Sequence, residues 1–406
     1  MEMNIISFIE AKDLFAIISI TTLISILQIS VNAEFNVINY GASGNGITND
    51  SLAFLRTWNN TCNAPGTSTM IIPKGKTFFL NPLTFNGPCK ANKISVMFYG
   101  RVIAPDGPNN WKERDLSTWL RFKDIAWLTV SGSRLLDGRG EGWWDASCRY
   151  RPGKGCFILM PTAVRFEGCE HLQVDHINIV NSPQFHITLW GSRNAELRFL
   201  DIQSPESSPN TDGIHISSSN DVTVHDSIIG SGDDCISIGD YTSNITILDV
   251  SCGPGHGISI GSFGRGRNEV EVEGIFVSRA NFSGTTNGAR IKTWQGARGN
   301  VRDVHFSDLI FTEVENPIII DQHYGDPQEK NQTGVHISDV SYSRAQGTTK
   351  TAVAINFNCS SSVACTNIAL DNIQLKSSIR GQQLSSFCNN AYGITKGIVY
   401  PKSCLT

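Results

Sequence analysis

Between residues 120 and 375 no apolar pattern at helical spacing runs for the length of a helix. Short runs of Val, Ile and Leu recur instead, each introduced by a polar residue: His171-Leu-Gln-Val, Asn194-Ala-Glu-Leu-Arg-Phe-Leu, Asn220-Asp-Val-Thr-Val and Asn244-Ile-Thr-Ile-Leu. These openings are nearly evenly spaced, and later copies begin at Asn300, Gly334 and Asn367. Alternation of this kind predicts half-buried strands. A period of about 20–30 residues predicts a β-solenoid, whereas propeller blades repeat nearer 40–50. Each coil then buries alternate side chains beneath the same positions of the next. The opening Asn residues suit turns or side-chain ladders rather than catalysis. The expected architecture is all-β, one solenoid domain over residues 34–406.

The N-terminus follows a different pattern. Leu14 to Ala33 carries no charge, and Val31-Asn32-Ala33 offers small residues for cleavage. Residues 1–33 therefore read as a signal peptide, although its Lys12 sits among Glu2, Glu10 and Asp13. The alternative is an uncleaved anchor, since the stretch is long enough to cross a bilayer. The 11 cysteines fit an oxidising compartment. Close pairs are Cys148/Cys156, Cys235/Cys252, Cys359/Cys365 and Cys388/Cys404, with Cys62/Cys89 a further candidate and Cys169 left as a buried thiol. No paired CxxC spacing of a zinc site occurs. Sequons for N-glycosylation start at Asn49, Asn59, Asn244, Asn281, Asn331 and Asn358. A net charge of −4 excludes a generally basic nucleic-acid binder, and 17% charged residues argue against a disordered chain or a coiled coil.

Four segments on the repeat carry chemistry: Asn210-Thr211-Asp212, Gly232-Asp233-Asp234-Cys235, Gly255-His256-Gly257 and Arg290-Ile291-Lys292. The step from Asp212 to Asp234 equals the step from Asp234 to His256. With one coil per step, the three side chains stack on consecutive coils roughly 4.8 Å apart. Asp233 and Asp234 would face opposite ways in a regular strand, so a bend at Gly232 is expected. Arg290 lies farther beyond His256 than one such step, which requires a longer coil or an inserted loop. Clustered carboxylates split their pKa values and so supply both an acid and a base, as glycoside hydrolysis requires. Arg290 and Lys292 alternate along a strand, so both can face an anionic sugar, with Arg265, Arg267 and Arg298 nearby.

The stretches SPNTDGIHI, SGDDCISIG, CGPGHGISIGS and ARIKTWQG, in that order, resemble the motifs of polygalacturonases, the pectin-cleaving family 28 glycoside hydrolases. The resemblance runs from about Phe35 to the C-terminus and is greatest to plant members. It implies a right-handed parallel β-helix and an inverting hydrolysis of α-1,4-linked galacturonan; endo action is the expectation, with exo action left open. By motif, Asp233 is the general acid, Asp212 and Asp234 activate water, and His256 supports the acid. Arg290 and Lys292 bind the galacturonate carboxylate, and Asn210 and Tyr324 contact substrate. No cofactor or metal is implied. The partner is pectin (homogalacturonan), with no nucleic acid and, after signal cleavage, no membrane, for a secreted cell-wall monomer. Two departures stand out: Gln322-His323-Tyr324-Gly325 replaces the plant Gln-Asn-Tyr-Cys, and Asn49-Asp50 replaces a paired Asp. Alternatives are an exo-acting galacturonosidase or rhamnogalacturonan hydrolase of the same family, a calcium-dependent pectate lyase, and a non-catalytic pectin-binding solenoid.

Overall fold

The computed structural model describes residues 32–111, 115–149, 159–265, 269–325 and 333–406. Residues 1–31 of the expected signal peptide 1–33, and Cys156, Arg267 and Asn331, lie outside the described residues; its last two residues, Asn32 and Ala33, pair as strand with Thr67 and Ser68. The chain winds into a right-handed parallel β-helix, as the repeat and the resemblance led us to expect. Its strands assemble into one sheet of 19 and one of 11 among the described residues.

The repeat openings are the corners of the coils. His171, Asn194, Asp221, Asn244 and Asn367 all hold φ between 51° and 56°. Asn and Asp reach this left-handed region at least cost among residues with a side chain, and this is why polar residues introduce each run. The turn reading therefore holds at Asn194, Asn244 and Asn367; at Asn220 the left-handed residue is the next one, Asp221, and in the Asn300 run it is Asp303.

Six strands of the 11-stranded sheet position the site: β1 (Ile187–Trp190), β2 (Ile214–Ser217), β3 (Ile236–Ile238), β4 (Ile258–Phe263), β5 (Asn287–Trp294) and β6 (Asn316–Tyr324). Their inward residues form continuous columns. Ile187, Ile214, Ile236 and Ile258 stack in register, and Leu189, Ile216, Ile238, Ile260, Ile291 and Ile320 run beside them. All are fully buried, so each contributes roughly 1.5–3 kcal/mol of apolar burial. A column of β-branched residues also fixes register, because a slip by one would turn every isoleucine outward.

The N-terminal end is closed by the helix Ser51–Asn63. It drives Phe54 edge-on against Phe78 and Trp58 against Phe85, and the Cys62–Cys89 disulfide ties it down. At the other end, Cys388–Cys404 fastens the last coil. Cys235–Cys252 and Cys359–Cys365 pair as expected, and Cys169 is a buried free thiol. Cys148 is also disulfide-bonded.

Candidate active site

The expected spacing gives the expected stack. Ile214, Ile236 and Ile258 are register partners, so Asp212, Asp234 and His256, each two positions earlier, occupy equivalent places on three successive coils. Main-chain hydrogen bonds from Gly213 N–H to the Asp234 carbonyl (2.9 Å) and from Cys235 N–H to the Gly257 carbonyl (2.8 Å) hold them there. Gly232 and Asp233 lie in a bend outside regular strand. A side chain at Gly232 would strike the Ser208 carbonyl oxygen, so only glycine permits this bend. The longer coil before Arg290 is also present. It comes from the long strand Glu269–Ser283, and Arg290 registers with Ser259 on the preceding coil.

Asp233 and Asp234 are both buried but face different partners. Asp233 Oδ1 meets His256 Nδ1 at 3.0 Å and accepts from the Asp234 N–H at 2.9 Å. Its Oδ2 accepts from Asn210 Nδ2 and from the Arg149 guanidinium, each at 3.3 Å. Asp234 Oδ1 accepts from Arg290 at 2.6 Å and from Ser259 Oγ at 2.8 Å, while its Oδ2 takes Lys292 Nζ at 2.7 Å. Arg290 and Lys292, expected on one strand face, are indeed together, and both are paired to Asp234. Lys292 also lies 5.4 Å from the centre of the Tyr324 ring, which packs edge-on against Trp294. Asp212 Oδ2 accepts from Ser237 Oγ at 2.7 Å.

These surroundings separate the acids. Burial raises the pKa of Asp212 well above the usual carboxylate range, and the charges of Asp233 and Asp234 add to the effect. Burial also opposes charge on Asp233, but the hydrogen bond and charge of His256, helped by Lys292 and the Asp234 N–H, outweigh it and hold the pKa low. Of Asp212 and Asp233, it is Asp212 whose surroundings favour the protonated form. His215, on β2, is kept neutral by burial, its pKa lowered to about 4. It bonds Ser237 Oγ at 2.8 Å and stacks on Phe185.

Donor atoms of Asp233, Asp234 and His256 lie within 4.8 Å of one another. The two cations on Asp234 already neutralise that carboxylate, which works against a divalent ion there.

Sequence reasoning missed Arg149, Ser237, Ser259 and His215. The serines carried a signal: Ser237 and Ser259 repeat the position of His215 on the next two coils, in the same register. Arg149 carried none, because it arrives from a loop far back in the chain.

The family model for glycosyl hydrolases family 28 matches residues 62–399. Polygalacturonase QRT2 of Arabidopsis thaliana is 40% identical over 371 residues, 91% of this chain and 84% of that protein. A polygalacturonase of Malus domestica is 38% identical, covering 90% of this chain and 78% of its own length. Among solved structures, an endo-xylogalacturonan hydrolase from Aspergillus tubingensis superposes with a TM-score of 0.77 at 22% identity, covering 90% of this chain and 99% of that one. A polygalacturonase from Erwinia carotovora ssp. carotovora gives 0.66 at 21% identity, covering 84% and 94%. The sequence matches and the shared β-helix agree: this chain belongs to glycosyl hydrolase family 28.

Proposed function

We propose that the protein is a secreted, endo-acting polygalacturonase that hydrolyses α-1,4-galacturonosyl linkages of demethylated pectin with inversion. One observation carries this reading: Asp212, Asp233 and Asp234 converge with His256, Arg290 and Lys292 on one outward face of the helix. The relatives named polygalacturonase support the substrate, and the disulfides support an oxidising, extracellular compartment.

In this reading Asp233 protonates the leaving oxygen, while Asp212 and Asp234 activate water on the opposite side. The resting electrostatics run the other way, with the proton on Asp212 and the charge on Asp233. Substrate supplies the acid's part of the change: a galacturonate carboxylate drawn to Arg290 and Lys292 neutralises Lys292, one of the charges that holds Asp233 ionised. The same charge also favours ionised Asp212, so the carboxylate left to draw a proton from water is Asp234. His256 Nδ1, 3.0 Å from Asp233 Oδ1, is the side chain placed to pass a proton to the acid.

The floor of the site favours endo action. Outward positions between β2 and β4 carry small residues, Ser217, Gly239 and Gly261, so the polymer can continue past the trio. The test is the product series from demethylated galacturonan. A falling ladder of oligomers is expected early in the reaction; galacturonate monomer alone from the first minutes would make the enzyme exo-acting.

A further inference from the structure

The site is built on the 11-stranded sheet, and the 19-stranded sheet has an outward column of its own. It reads Ile228, Ser251, Asn281, Ile310, Gln346, Gln374, Tyr400, one residue per coil. Ile310 is 45% exposed and borders a groove of about 300 Å³, with Arg344, Gln346, Asn372 and Gln374 around it. Arg344 does not leave this groove charged. It donates from Nε to Asp308 Oδ1 at 2.6 Å and from Nη2 to Asp308 Oδ2 at 2.7 Å. What remains is an apolar side chain beside two exposed glutamines, each amide offering donors and an acceptor. Such a lining suits a neutral ligand that carries amides of its own, and it gives a polyanionic uronan no free cation to meet.

Asn281 adjoins the groove and opens the sequon Asn281-Phe282-Ser283. On the strand Glu269–Ser283, Phe282 is buried while Asn281 and Ser283 are exposed, as strand alternation requires. Gln346 and Gln374 lie two and three coil steps from Asn281, roughly 10 and 14 Å at about 4.8 Å per step. Two other sequons are placed differently. Asn244 Nδ2 is turned to Asp221 Oδ1 at 3.2 Å. Asn358 is half-buried beside the Cys359–Cys365 disulfide and stands in the column of Lys292 and Asp321, on the site face.

We infer that Asn281 is an N-glycan acceptor whose first hexosamines lie in this groove, their N-acetyl amides on Gln346 and Gln374 and a sugar face on Ile310. This rests on the secreted compartment of the proposed function. In the linkage step the bond between Asn281 Nδ2 and the anomeric carbon forms. The bond from that carbon to the pyrophosphate oxygen of a lipid-linked oligosaccharide breaks, the pyrophosphate keeps the bonding pair, and the amide proton goes to base. The docked glycan covers apolar surface that would otherwise face water or another chain. It does so on the 19-stranded sheet, so the site face stays clear for polymer.

The experiment expresses the full chain in a plant secretory host that keeps its glycans high-mannose, recovers it from the medium and maps its glycopeptides by mass spectrometry. Asn281 should carry a glycan. An endoglycosidase that cuts between the first two hexosamines should release it from the native protein roughly tenfold more slowly than from the denatured chain, the protection given by one or two polar contacts. Ile310→Ser and Gln346→Ala, both changes at exposed side chains that leave stability nearly unmoved, should remove most of that protection. Secreted protein with Asn281 bare overturns the acceptor site and leaves the proposed function standing. An occupied Asn281 released as fast from native as from denatured protein, or equally protected in both variants, overturns the docking in the groove. A chain retained in the cells with Asn281 bare overturns the secreted compartment as well.

Discussion

The helix carries the same charge pairing on two faces, with opposite consequences. On the 19-stranded sheet, Asp249 meets Arg279 and Asp308 meets Arg344, coil to coil, each at 2.6 Å. Those four side chains are 38–58% exposed. On the site face, Asp234 meets Arg290 at 2.6 Å and Lys292 at 2.7 Å, and the three are 1%, 11% and 7% exposed. The exposed pairs are screened and stabilise little. The buried trio must be desolvated, a cost that its Coulomb attraction barely offsets. A fold does not need such a cluster, because a row of isoleucines would serve stability as well. Among the described residues this buried cluster lies on the face where we propose the chemistry.

Replacing Asp233 by Asn should produce the largest effect. Loss of the acid lowers kcat on demethylated galacturonan by roughly 10²–10⁴ or more; because its surroundings hold the folded Asp233 pKa below the ordinary value, the variant also loses stability at neutral pH, with the loss fading as pH falls below 3.8. Near-wild-type turnover would remove Asp233 from the mechanism.

Asp234→Asn should break the buried cluster itself. Arg290 and Lys292 would be left without a counter-charge, which costs about 3–5 kcal/mol of stability as well as activity. The matching change on the other face, Asp308→Asn, should leave urea unfolding almost unmoved. Equal losses in the two variants would erase the distinction between the faces.

His256→Asn should lower kcat by roughly 10². Because His256 holds the Asp233 pKa down, the pH limb belonging to Asp233 should also move upward. A kcat loss with an unshifted profile would reduce His256 to packing.

Asp212→Asn probes the raised pKa. Below pH 3.8 the wild-type Asp212 is protonated whether folded or unfolded, so it carries no penalty. As pH rises from 3.8 through the higher folded value, the unfolded chain ionises first and folded stability falls. The variant should therefore be inactive yet more stable than wild type at neutral pH, and the gap should close below pH 3.8. A gap independent of pH would contradict the assignment of the proton to Asp212.

Much of this was legible in the sequence because a solenoid converts spacing into contact. Two equal steps along the chain were enough to stack Asp212, Asp234 and His256, and Gly232 announced the bend. The Arg290–Lys292 alternation gave the shared face but not the partner. That Asp234 takes both cations depends on how far each side chain reaches across two coils. Arg149 was invisible, since a loop lying across the helix obeys no period. The reversed protonation of Asp212 and Asp233 was invisible too, because it depends on burial and on which oxygen His256 meets.

The central claim is hydrolysis of an α-linked uronan by two opposed carboxyl functions. It is tested most directly by following the newly formed reducing ends by proton NMR during the first minutes of reaction on demethylated galacturonan. Inversion predicts the β-anomer first, with α appearing only as mutarotation proceeds. The α-anomer first, or an unsaturated UV-absorbing end with no water added, would contradict it.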